Sequence, residues 1–261
     1  MKNIITAFLF VMLASLLSSC QKTIMPTLAN STPQIVIEGA VSDTAGPYHV
    51  NISKTANFYA DNVYSSVSGA FVSVTDVTAG ITDNLTETAS GVYTTHTITG
   101  TPGNTYQLKV VLDGKAYTAS STMPKPVALD SVTFDFSKKN NTRPVANFQD
   151  PANVTNYYKY SIKLNGVPLK RVQTFDDLLS DGRYIRDKLD VDTGTIKLKD
   201  LVKVSLVCVD HNVYNFLKEA EGIAYNNDQL AAPATPTSNI TGGCIGYFSA
   251  QTVSDKSKVV K

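Results

Sequence analysis

The sequence predicts a mainly β chain: an antiparallel β-sandwich followed by a second β-rich domain with one short helix. Three observations predict it. Short runs of alternating apolar and polar residues recur from Gln34 onward, residue pairs that favour positive φ (Asp113-Gly114, Asn165-Gly166) separate some of them, and a single stretch has helical spacing. No alternation of strands with helices suggests a parallel α/β sheet.

The elements follow in order. Ile35, Ile37 and Val41 alternate with polar or small residues, and Tyr48, Val50 and Ile52 come after a Gly46-Pro47 turn. Two β-branched runs, Phe71 to Thr75 and Gly91 to Ile98, precede the clearest hairpin. In it, Tyr106, Leu108, Val110 and Leu112 share one face, Asp113-Gly114 makes a two-residue turn, and Lys115 to Ala119 return. The proline-bearing connector from Met123 to Pro126 closes this first sandwich, so the sequence sets domains at 34–125 and 126–261.

The second domain opens with a strand from Asp130 to Phe136, after which the polar stretch Ser137 to Asn141 reads as loop. A second hairpin runs from Tyr157 to Leu164, turns at Asn165-Gly166 and returns over Val167 to Val172. Ile196 to Leu198 and Val202 to Val209 read as two more strands. Asp210 is placed to cap a helix from His211 to Glu221, ended by Gly222, with Val213, Phe216, Leu217 and Ala220 as its buried stripe. Residues 227–239, rich in Pro, Ala, Asn and Thr, read as loop.

The N-terminus points to a compartment. Met1-Lys2, an apolar run from Ile4 to Ala14 and then Leu17-Ser18-Ser19-Cys20 describe a lipoprotein signal peptide over residues 1–19. The apolar run is short for a membrane span. The tetrapeptide resembles a bacterial lipobox, which makes Cys20 the expected site of lipid attachment after cleavage. Acyl chains on one residue anchor firmly, because each buried methylene contributes about 0.8 kcal/mol. Residues 20–33 then form an extended, lipidated tether.

The chain has 261 residues, 23 Lys+Arg against 22 Asp+Glu, and 17% charged residues. Signal cleavage removes Lys2 and no acid, so the mature chain is neutral. Such a surface does not steer towards nucleic acid or anionic lipid, and no nucleic-acid partner is expected. Attachment to the membrane therefore rests on the lipid.

Two further motif sets carry a resemblance. Ser68-Gly69-Ala70-Phe71-Val72-Ser73-Val74-Thr75-Asp76, then Gly91-Val92-Tyr93 and Gly100 to Tyr106, resemble the immunoglobulin-like sandwich of carboxypeptidase-regulatory and prealbumin-like domains. Thr174-Phe175-Asp176-Asp177, Asp181-Gly182-Arg183 and the segment Ser238 to Ala250, taken with the lipobox, resemble the DUF4249 family of Bacteroidota lipoproteins. That resemblance covers nearly the whole mature chain. It implies an outer-membrane lipoprotein encoded beside TonB-dependent receptors and acting as a receptor's partner, with no catalytic residues to carry over. Gln21-Lys22-Thr23 replaces the acidic residues that mark surface export in such bacteria, so the membrane face stays open.

Candidate chemistry is sparse. Cys208 and Cys244 either pair as a disulfide in an oxidising compartment or pack as two buried thiols. A zinc site on Cys208, His211 and Cys244 would need ligands to converge from a strand, a helix start and a distant loop. Asp190-Val191-Asp192-Thr193-Gly194 resembles the start of a calcium loop, yet Gly194 stands at position five and Leu201 at position twelve, so a polar turn fits better. Asp176, Asp177 and Asp181, with Arg183 and Arg186, sit in a segment where Phe175, Leu178 and Leu179 interleave. This predicts an ordered loop or short helix packed on the sandwich. Gly242, Gly243 and Gly246 read as tight turning or close backbone approach.

The expectation is thus a non-enzymatic, lipid-anchored outer-membrane protein without catalytic residues, metal or cofactor, serving a TonB-dependent receptor. Contacts would fall on loops at the sandwich ends, residues 54–68, 137–153 and 223–239. The rival reading is a cell-surface adhesin or fimbria-like subunit, which would exchange a hydrophobic terminal strand. The polar, Lys-rich residues 251–261 argue against it.

Overall fold

The computed structural model describes residues 32–56, 64–225 and 235–261. Within them the chain is mainly β, with three sheets and one short helix, as the sequence predicts. Cys20, the expected signal peptide and most of the expected tether lie outside the described residues, as do parts of the expected loops 54–68 and 223–239.

The first half contributes β1 (Ile35–Ser42), β2 (His49–Lys54), β3 (Phe71–Asp76), β4 (Ile81–Asn84), β5 (Thr86–Ala89), β6 (Val92–Thr94), β7 (Thr105–Leu112) and β8 (Lys115–Thr122). Strands β4-β3-β7-β8 form one sheet. The β7–β8 hairpin forms around Asp113 (φ 49°) and Gly114 (φ 77°), and Tyr106, Leu108, Val110 and Leu112 are all buried. Facing them are Ile37 and Val41 of β1, Val50 and Ile52 of β2 and Tyr93 of β6, which share one core cluster with β3 and β7.

The second half contributes β9 (Ser131–Lys138), β10 (Asn141–Gln149), β11 (Tyr157–Leu164), β12 (Val167–Pro168), β13 (Gln173–Asp176), β14 (Tyr184–Lys188), β15 (Leu201–Val209), α1 (His211–Tyr225) and β16 (Ile245–Val259). Strands β14-β10-β9 form a sheet whose Val132, Ala146, Phe148 and Ile185 pack on the inward residues of β11 and β15 in a second cluster.

The largest sheet runs β12-β11-β15-β16-β1-β2-β6-β5, with β13 also paired to β11. Its keystone is β16. Residues 245–251 pair in parallel with Val36 to Ser42 of β1, while residues 252–259 pair antiparallel with β15. Phe248 and Ala250 therefore complete the first core, together with Ile240 and Cys244, although they lie far beyond residue 125 in sequence. The parallel pairing brings backbones close at Gly246, where an added Cβ would sit 1.9 Å from the Ile37 carbonyl oxygen and φ is 116°. Only glycine tolerates that position.

Helix α1 covers the opposite face of the same sheet. Val213, Tyr214, Phe216 and Leu217 pack on Val207 and Val209 of β15 in a third cluster. This explains the unbroken apolar run of β15: Val202, Val204, Leu206 and Cys208 face one core, and Val207 and Val209 face the helix. Asp210 caps the helix, its Oδ1 accepting from Val213 N at 2.9 Å. The same carboxylate accepts from Ser121 Oγ of β8, which itself accepts from Ala250 N at 2.8 Å. The cap thereby ties the helix to the first sandwich.

Four local expectations need correction. The stretch 137–153 is mostly strand: Lys139 and Asn140 (φ 59°) form a tight turn and β10 occupies Asn141–Gln149, largely buried. The hairpin return from Val167 stops at Pro168, which cannot donate into a ladder, and pairing with β11 resumes only at β13. Ile196 to Leu198 is not a strand; Ile196 enters the second core from a turn region. The helix runs through Gly222 to Tyr225, and Tyr214 rather than Ala220 completes its buried stripe.

Candidate functional site

Two adjoining features gather the polar side chains of the second half. The first is a cavity of about 750 Å3 between α1 and β13. Asp176, at the end of β13, accepts from Tyr214 Oη, and Lys218 Nζ stands 3.5 Å away. The Tyr214 hydrogen bond, the more so with Lys218 beside it, holds the Asp176 carboxyl below its usual value. Across the groove, Glu221 accepts from Thr174 N at 3.0 Å and Thr174 Oγ1 at 2.8 Å, pinning the helix to β13. The Arg171 guanidinium stacks 4.3 Å over the Tyr225 ring, and its buried Nε has no hydrogen-bond partner.

The second feature begins one residue later. The loop after β13 and the loop after β10 meet through their acids. Asp177 Oδ2 accepts from Asn156 N at 2.8 Å, Asp181 accepts from Asn153 N at 2.9 Å, and Asp150 Oδ2 accepts from Gly182 N at 3.0 Å. Tyr158 Oη donates to Asp150 Oδ1. One carboxylate oxygen from each of Asp150, Asp177 and Asp181 lies within 4.8 Å of the others. Burial, reinforced by the neighbouring Asp150 and Asp181 charges, pushes the Asp177 carboxyl above its usual value.

These acid-pinned loops form a protruding tip. Leu178 is 79% exposed and Leu179 87% exposed, with half-exposed Val154 on the adjoining loop. The expectation that Phe175, Leu178 and Leu179 all pack on the sandwich therefore holds for Phe175 alone, which joins the second core. The side chains of Asp177 and Asp181 tie the loop to its neighbour, and the two leucines between them face water. Asp150 and Asn156 escape sequence reading because they sit in the stretch read as loop and strand start; Asp150-Pro151 with Asn153 and Asn156 was the available signal.

The other candidates disperse. Cys208 and Cys244 are free, buried thiols, so the disulfide alternative is corrected. Cys208 pairs opposite Thr252 on β16, whereas Cys244 precedes the start of that strand by one residue. Eight residues of extended chain separate the two levels by roughly 25 Å, far beyond disulfide reach. Burial pushes Cys244 up to about 11 and raises Cys208 as well, so both remain thiols. His211 is exposed at the start of α1, while Cys208 is buried in the second core. Asp190 is neutralised by Arg143 and Arg171 at 3.4 and 3.6 Å, in keeping with a polar turn at 190–194.

Paired β layers with a helix clamped on one sheet define a mainly β protein of sandwich type. Comparison with known families places it further. A family model, described as a domain of unknown function (DUF4249), matches residues 21–257. The chain belongs to that family. A search of the curated proteins finds no significant match. Among the described residues, no helix is long and apolar enough to cross a membrane.

Proposed function

We propose that this chain is a non-enzymatic outer-membrane lipoprotein, anchored through Cys20, that serves as a binding partner of a TonB-dependent receptor. The observation that carries the reading is the loop tip: two adjacent leucines held out into water on an ordered loop whose flanking acids are fastened to the next loop. Exposed apolar side chains on an ordered loop, flanked by polar groups, support a recognition surface. The lipid confines the protein to the membrane plane, which raises effective concentration and lets a small interface suffice. The adhesin reading needs a terminal strand free to be donated, and both halves of β16 are paired within their own chain, residues 245–251 with β1 and 252–259 with β15.

The interface is tested by co-purification. Wild-type protein expressed in its own host retains the receptor through gentle solubilisation, whereas Leu178→Asp with Leu179→Asp loses it at unchanged melting temperature. Undiminished receptor capture by that double variant would contradict the assignment. Separately, incorporation of labelled palmitate is expected in the wild type and absent from Cys20→Ser.

A further inference from the structure

We propose that Asp150, Asp177 and Asp181, together with the side-chain oxygen of Asn156, form a binding site for a calcium ion. The carboxylates alone would be weak grounds, since acidic clusters are common on surfaces. This one is not on the surface: Asp150 is 1% and Asp177 2% exposed, and only Asp181 faces water. Among the described residues none of the three lies within ion-pair distance of a Lys, Arg or His. Buried charges are ordinarily paired or bound to metal, because leaving them without a counter-charge is destabilising.

Asn156 supplies an independent observation. It is only 6% exposed, and its backbone is held to the cluster on both sides: Asn156 N donates to Asp177 Oδ2 at 2.8 Å, and Asp177 N donates to Asn156 O at 3.3 Å. Its Oδ1 is buried and has no hydrogen-bond partner. A buried amide oxygen without a donor is destabilising. Coordination to a cation satisfies it.

The donor chemistry selects the ion. Every available ligand is an oxygen, which suits a hard cation, whereas zinc prefers nitrogen and sulfur. Two oxygens on opposite sides of calcium, each about 2.4 Å away, are about 4.8 Å apart. The carboxylate oxygens here all lie within 4.8 Å of one another, inside the reach of one such ion. Calcium also accepts irregular ligand sets drawn from two loops, which magnesium, with its stricter octahedron, does not. The donors already in place orient the ligands: Tyr158 Oη and Gly182 N fix Asp150, and Asn153 N fixes Asp181. A bound calcium would crosslink the loop after β10 to the loop after β13, directly beneath Leu178 and Leu179.

Calorimetric titration and thermal unfolding of the chelator-stripped mature protein test this site. The expected result is one saturable calcium site per chain and a rise in melting temperature on adding calcium. Asp181→Asn keeps an acceptor for Asn153 N and alters an exposed position, so its metal-free melting temperature stays at the wild-type value while calcium affinity falls at least tenfold. No heat and no thermal shift in the wild type at millimolar calcium would overturn the proposal. Wild-type affinity in Asp181→Asn would overturn it equally.

Discussion

Gly246 and Tyr106 show how single side chains, or their absence, carry this fold. At Gly246 a methyl group would collide with the Ile37 carbonyl in the middle of the β1–β16 ladder. Gly246→Ala is therefore expected to destabilise by on the order of 4 kcal/mol in urea unfolding. Gly114→Ala, in a turn with open space around it, should lose only about 1 kcal/mol despite its positive φ. Tyr106 accepts from Thr101 N at 2.7 Å and donates to Thr99 O at 3.0 Å from a fully buried ring. Tyr106→Phe strands both groups and should cost about 1–3 kcal/mol by the same measurement. Asp83 gives a pH signature. Burial pushes its carboxyl up, but hydrogen bonds from Thr97, Ile98 and His96 N–H groups outweigh burial and hold it below the usual carboxylate value. A depressed folded value means that its stabilisation is present above the unfolded pKa and disappears as pH falls through the folded one. The stability gap between wild type and Asp83→Asn should accordingly be full at pH 7 and shrink below about pH 4.

Helix α1 was legible nearly residue for residue at its start, because Asp210 followed by an apolar 3-4 spacing is a local signal. Its end was not: Gly222 lies in a helix whose last turn is braced by Glu221 on Thr174 and by Tyr225 under Arg171, contacts made at long range. Strand β10 was missed for a related reason. Asn141, Thr142, Arg143 and Pro144 look like loop, and only the β9 partner gives that polar start a ladder. The hairpins at Asp113-Gly114 and Asn165-Gly166 were readable because two-residue turns set register locally. The cap offers a test at this scale. Asp210→Ala removes the Val213 bond and the anchor to Ser121, and should lower stability by about 1–2 kcal/mol while reducing helical circular dichroism.

On the scale of the whole molecule, β16 joins two cores that the sequence divides near residue 125. Its first half completes the first core and its second half the β11–β15 sheet of the second. Ending the chain after Gln251 should leave slow amide exchange in β7 and β8 and abolish it in β15, as mass spectrometry of exchanged peptides would report. The candidate site was half legible: Asp176, Asp177 and Asp181 stood out in sequence, but Asp150 reaches them through the pairing of β10 with β14 and Asn156 through that of β11 with β13. The acids thus fasten two loops, and the fastened loops present Leu178 and Leu179. Capture of the tagged protein from gently solubilised outer membranes of its own host, with mass spectrometry of what accompanies it, tests the central claim most directly. The account predicts a TonB-dependent receptor in stoichiometric amount; recovery of this chain alone would contradict it.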